Sequence, residues 1–156
     1  METPAITFKL KNAVFNHCIE IITQKINDAI KSMEDAQAAA NLETKSSAGD
    51  KYETGRAMMH LEKEKHGFQL QNHQKIKQVL SNIDVSQEYN IIQPGALVDT
   101  NQGLYFVGAS MGEITVQNNT CLTLSLGSPL GKVMRNKAPG DAFEFRDKTF
   151  EITAVI

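Results

Sequence analysis

From Lys9 to Ala40 the side chains Leu10, Val14, Cys18, Ile21, Ile22, Ile26, Ile30, Met33 and Ala36 recur at steps of three and four, with no proline or glycine among them. Such steps return to one side of a helix, so the segment predicts a single long amphipathic helix whose apolar stripe must be covered. Its last turns carry the run Ala38-Ala39-Ala40, small residues that favour helix and admit a close partner. The stretch Asn41–Ser47 drops the period and predicts a turn, with Ser47 and Asp50 spaced as a capping box for a second helix. Tyr52, Met58, Met59, Leu61, Phe68, Ile76, Val79, Leu80 and Ile83 then resume helical spacing to about Asp84, and Gly55 and Gly67 weaken that helix without ending it. At 1.5 Å per residue the two helices span roughly 45 to 55 Å each, too long for a compact bundle of this size. Antiparallel pairing as a coiled-coil hairpin covers both stripes, with Met58 and Met59 in the seam and His66 and His73, a heptad apart, on its polar edge. Lys63, Lys65, Lys75 and Lys77, interleaved with Glu62 and Glu64, predict a solvated face.

After Asp84 the period changes: Gly, Pro, Asn and Thr punctuate short β-branched and aromatic runs. Residues 96–100 and 104–109 predict a hairpin around Thr100-Asn101-Gln102-Gly103, and Glu113–Gln117 with Cys121–Leu126 a second around Asn118-Asn119. Ser128, followed by Pro129, predicts the N-cap and first position of a short helix through Met134. Asn136 to Asp141 then form a turn, and Ala142–Arg146 with Thr149–Val155 two closing strands. The fold class is α+β: a helical hairpin over residues 1–85, then a small antiparallel β domain with one short helix over 86–156.

Within 156 residues the formal net charge is −2, so neither a nucleic-acid arm nor a membrane-surface patch is demanded. Cys18 and Cys121 fall in different predicted units without companions at metal-ligand spacing, which predicts two buried thiols. No histidine pair stands at i, i+4 with an acidic partner, and Ser128 has no Gly-x-Ser-x-Gly context, so neither a zinc site nor a serine nucleophile is predicted. With no leader-like segment and no apolar run of about 20 residues, a cytoplasmic protein is expected.

Ser128-Pro129-Leu130-Gly131, a short helix, Pro139-Gly140-Asp141 and two strands together resemble the C-terminal domain of bacterial Gre-type transcription elongation factors. Gly95–Thr100 and Gly103–Val107 resemble the opening hairpin of that domain, and Lys51-Tyr52-Glu53 with His66-Gly67-Phe68 the second arm of the family's coiled coil. The resemblance implies an FKBP-like C-terminal fold that docks on RNA polymerase, through a surface that includes Ser128, Pro129, Leu130, Gly131, Gly140 and Asp141. It implies a coiled coil inserted into the polymerase secondary channel, with indirect contact to RNA and DNA. In the family, acidic side chains at the tip help hold a Mg²⁺ ion of the polymerase's own active centre, and that ion activates a water for transcript cleavage. The chain itself would be no enzyme and would carry no cofactor beyond a share in that Mg²⁺.

Alignment on Tyr52 places Lys45 and Ala48 where cleavage-competent members carry the metal-holding Asp and Glu. A cation at the first position repels the ion, which leaves Glu43 and Asp50 as candidate metal ligands at the tip. The expectation is therefore a polymerase-binding regulator without the cleavage tip. Two alternatives stand beside it, a peptidyl-prolyl isomerase of FKBP-like fold and a helical-hairpin adaptor for another partner. Because each long helix finds its partner in the same chain, a monomer is expected.

Overall fold

A computed structural model of the chain describes the backbone of residues 6–45 and 50–156 and the side chains of 6–42 and 54–156. Two long helices come first, α1 (Phe8–Lys45) and α2 (Asp50–Ser81). The Thr7 hydroxyl accepts the Leu10 N–H at 3.1 Å and caps the start of α1. At its other end α1 continues past Ala40 through Asn41–Lys45, part of the stretch expected to turn. Those five residues include no glycine or proline, so only the apolar period stops there, and helix propensity carries the backbone on. Ser47 and its capping box lie outside the described residues.

By its contacts the chain forms two compact units, Glu20–Gln78 and Met1–Ile19 with Val79–Ile156. In the first, α1 and α2 pair antiparallel. Lys25, Ala29 and Ser32 share one interhelical cavity with His66, Gln69 and His73, while Ala36 and Ala40 share another with Arg56, Met59 and Lys63. The α2 numbers fall as the α1 numbers rise. Ile22, Ala29 and Ala36 are buried at heptad spacing, facing a row on α2 in which Met59, His66, Leu70 and His73 are half-buried. On the exposed lysine face, the Lys63 ammonium donates to Gln37 Oε1 at 2.8 Å and so also bridges the two helices.

The seam differs from the one the apolar pattern predicts. Met58, Leu61 and Phe68 are 61%, 65% and 67% exposed, and only Met59 of the methionine pair turns inward. Small Ala29 and Ala36 on α1 leave room for imidazole rings, and the heptad that seats Met59, His66 and His73 turns the larger apolar side chains outward.

The second unit is built on six strands: β1 (Leu97–Thr100), β2 (Gly103–Val107), β3 (Gly112–Val116), β4 (Asn119–Leu124), β5 (Ala142–Phe145) and β6 (Lys148–Val155), with α3 (Pro129–Met134) between β4 and β5. Their order across the sheet is β3-β4-β2-β1-β6-β5. All neighbours are antiparallel except β2 and β4, which run parallel from Leu104↔Cys121 to Val107↔Leu124. The sheet is mixed where the sequence predicts a purely antiparallel one, because β4 inserts between the consecutive strands β2 and β3. The β3–β4 and β5–β6 hairpins turn on Gln117-Asn118 and Arg146-Asp147, all four with positive φ of 50° to 64°, the backbone twist that two-residue hairpins require.

Both faces of the sheet are covered. On one, Val98, Tyr105, Val107, Leu124, Phe150 and Ile152 form a core with Ile92, Ala96 and Met134, closed by half-buried Leu126 and Leu130. Phe143 stacks on Phe150 with centroids 4.9 Å apart. Against the other face lies the start of α1: Leu10, Val14 and Cys18 are buried, and the half-buried Phe15 ring has its centroid 6.4 Å from that of the buried Phe106. Each such aliphatic side chain contributes about 1.5 to 3 kcal/mol on burial.

Cys18 and Cys121 are both buried in this second unit, although they belong to different predicted halves. Burial pushes the Cys18 thiol up to about 11, while burial and then the nearby Cys18 push Cys121 up to about 12. In the folded protein at pH 8, neither thiol should react with iodoacetamide on a timescale on which both react in denaturant. Above the ordinary thiol value of 9.0 the unfolded chain sheds these protons and the folded chain keeps them, so stability should fall as pH rises from about 9 toward 11. Urea titrations at pH 8 and pH 10 check the sign, and replacing both cysteines with alanine should remove that part of the loss.

Candidate functional site

The segment Ser128–Gly131 is built by local necessity. The Ser128 hydroxyl accepts the Gly131 N–H at 3.0 Å and donates to the Ser125 carbonyl at 2.7 Å, capping α3 and closing the loop before it. Pro129 occupies the first helical turn, where no N–H partner is needed, and its ring is exposed. Leu130 packs against the sheet core. Gly131 is buried so tightly that an added Cβ would stand 2.0 Å from the Ser125 carbonyl oxygen and 2.7 Å from Leu126 Cα, both backbone atoms. No other residue type fits there without moving the loop.

The turn after α3 is stitched to β6. Asp141 Oδ2 accepts the Ala138 N–H at 2.8 Å, the Gly140 N–H donates to the Ile152 carbonyl at 2.8 Å, and the Ile152 N–H donates to the Asp141 carbonyl at 2.9 Å. Gly140 sits at φ +94°, in the left-handed region that glycine adopts without strain. Of the six residues that the sequence assigns to docking, Ser128, Leu130 and Gly131 are turned to building the fold, while Pro129, Gly140 and Asp141 are exposed. α3 packs against β5, which Asp141 immediately precedes.

At the tip, Glu43 falls in the last turn of α1 and Asp50 opens α2. The side chains of both, together with those of Lys45 and Ala48, lie outside the described residues. Among the described residues, no three His, Cys, Asp or Glu side chains come together as a metal site, and no helix is long and apolar enough to cross a membrane.

One buried charge carried no signal in the sequence. Lys11, on the apolar face of α1, is fully buried. Its ammonium donates to the Gln87 carbonyl at 2.7 Å and stands 4.5 Å from the Tyr89 ring centroid and 5.2 Å from that of Phe8. Burial holds its pKa below the ordinary lysine value, against the opposing pull of the Asp84 and Glu88 carboxylates. Asp84 in turn accepts from the Ser86 N–H and hydroxyl and from Gln87 Nε2, while Tyr89 donates its hydroxyl to the Asp84 carbonyl at 2.6 Å. Hydrogen bonds from Ser86 hold the Asp84 carboxyl below the usual carboxylate range.

The fold defines an α+β protein in which an antiparallel helical pair precedes a six-stranded mixed sheet. No family model matches the chain, and no curated protein matches it. A similar solved structure is described as "Structure of the transcription factor Gfh1", at 16% sequence identity over 88% of this chain and 92% of that one, with a TM-score of 0.35. A superposition that loose carries nothing about what this chain does.

Gly131→Ala should destabilise the sheet unit by about 3 kcal/mol or more, since the clash is with backbone, whereas Ser128→Ala should cost about 1 kcal/mol, the usual value of a lost N-cap. Thermal unfolding followed by near-UV circular dichroism ranks the two, and equal losses would contradict the close approach at Gly131.

Proposed function

We propose that this chain is a transcription regulator that binds bacterial RNA polymerase, docking through its sheet unit and entering the secondary channel with its helical pair, without supplying metal ligands for transcript cleavage. The observation that carries the reading is the order of parts. Two antiparallel helices of 38 and 32 residues precede a small β unit whose Ser128-capped α3 and Pro139-Gly140-Asp141 turn are the segments in which the sequence resembles the Gre-type domain. Pro129, Gly140 and Asp141, exposed in those segments together with Lys132 and Pro139, are available to a partner. In this reading the protein works in the cytoplasm, beside the polymerase.

The tip supports regulation without cleavage. A hard divalent cation takes carboxylate oxygens, and the positions where cleavage-competent relatives hold it are Lys45 and Ala48 here. The isomerase alternative loses support from the aromatics, because Tyr105 and Phe150 are buried and Phe143 stacks on Phe150, which leaves these rings as core and not as the walls of a proline pocket.

Sedimentation with purified core polymerase should give a stable complex, and its absence would sink the reading. Pro129→Glu keeps the first turn of α3, where a carboxylate is favoured, and should weaken the complex by about tenfold or more. On backtracked elongation complexes the protein should not accelerate cleavage, whereas the double variant Lys45→Asp, Ala48→Glu should gain it in the presence of Mg²⁺.

A further inference from the structure

The start of α1 and the β1–β2 turn leave an open cavity of about 350 Å³ against the sheet. That volume falls in the range of small-molecule sites, about 300 to 1,000 Å³. Ile6, Leu10 and Leu104 give it apolar walls, and Asp99 and Asn119 stand among its polar residues.

Asp99 is out of place as a strand residue. Aspartate is depleted from strands, yet this one sits inside β1, opposite Leu104 and on the side of the sheet that turns Leu97 and Phe106 toward α1. Its backbone carbonyl takes the Thr153 hydroxyl at 3.0 Å, but its half-buried carboxylate makes no hydrogen bond or ion pair among the described residues. A carboxylate drawn partly out of water without a partner is costly, and a cation from outside the chain removes that cost.

The other polar groups of the cavity are held by the fold. Thr100 donates its hydroxyl to the Gly103 carbonyl at 2.9 Å and accepts the Gln102 N–H at 3.0 Å. Asn101 donates to the Thr149 carbonyl at 3.0 Å and accepts the Glu151 N–H at 2.7 Å. Asn119 donates to the Gln117 carbonyl at 3.0 Å, which leaves its amide oxygen to accept. Asn119 falls on the same side of β4 as Cys121, the residue that pairs with Leu104. Strand β2 separates β1 from β4, so Asp99 and Asn119 stand on strands about 10 Å apart with Leu104 between them. One ammonium cannot reach both. A molecule with an ammonium at each end and hydrocarbon in the middle can.

We propose that this cavity binds a linear aliphatic diamine. One ammonium pairs with the Asp99 carboxylate, the other donates to Asn119 Oδ1, and the methylene chain lies over Leu104 against Ile6 and Leu10. α3 packs on the opposite face of the sheet, so the inference does not rest on the polymerase reading.

Isothermal titration calorimetry of the full chain at pH 7 should find saturable one-to-one binding of 1,5-diaminopentane. Pentylammonium, which lacks the second donor, should bind about threefold more weakly or worse, and pentane-1,5-diol, which lacks the charge, about tenfold more weakly or worse. Asp99→Asn keeps the shape of the side chain and should cost both amines about tenfold in affinity. Asn119→Ala should bring the diamine down to the affinity of pentylammonium while leaving pentylammonium unchanged, a ratio that a general loss of folding would not move. Absence of saturable binding at tens of millimolar diamine, or equal affinity for the diol, or an Asp99→Asn chain that binds the diamine undiminished, would overturn the proposal.

Discussion

The contact on which the second unit rests is the burial of the first three turns of α1 against one face of the sheet. Leu10, Val14 and Cys18 are out of solvent there, beside Phe106 and Cys121, and without them a face of a six-stranded sheet would be left wet. Lys11 sits in the same stripe, and burying its ammonium is tolerable only because a carbonyl and two aromatic rings replace the water it gives up. The Gln87 carbonyl that receives it belongs to the segment joining α2 to β1, which Asp84 organises through Ser86 and Gln87. One lysine thus fixes the start of the chain to the connection that leads into the sheet, and the two need each other: the connection supplies the cage, and the helix supplies the charge that orders it.

The Ser128–Gly131 segment has a comparable economy. Three of its four residues are accounted for by α3 and its approach to the Ser125–Leu126 backbone, so their presence follows from the fold whatever the unit binds. A motif of this kind identifies an architecture more securely than it identifies a contact surface. Any partner of this region reads what the motif holds in place, namely the exposed Pro129 ring and the turn at Gly140 and Asp141, whose positions depend on the buried glycine and the serine cap beneath them.

Much of this was legible in the sequence because its signals are local. The hairpin at Thr100–Gly103, a second whose turn falls on Gln117-Asn118, one residue before the expected Asn118-Asn119, the cap at Ser128 and the closing strands follow from turn chemistry acting over a few residues. What escaped was long-range. The parallel pairing of β2 with β4 depends on where a strand inserts, which no two-residue period encodes. The helical period of α1 is the same on both sides of Glu20, so it could not tell that Leu10 and Val14 face strands while Ala29 and Ala36 face a helix. The candidate site divides likewise: its α3 and turn residues came with the motif, while Lys11, a charged residue on an apolar face, has no pattern that would have marked it.

The helical pair shows how hydrophobicity and burial can part company. α1 offers small residues at the seam, so α2 can seat histidines opposite them, in a cavity that Ser32 and Gln69 also line. Once Met59, His66 and His73 occupy the seam, 3.6 residues per turn forces Met58, Leu61 and Phe68 to the far side. A helix that faced only water would gain nothing from leucine and phenylalanine there, and glycine at residue 67 would only weaken it. A partner changes that balance, because removing those side chains from water is favourable and the glycine opens the backbone to close approach.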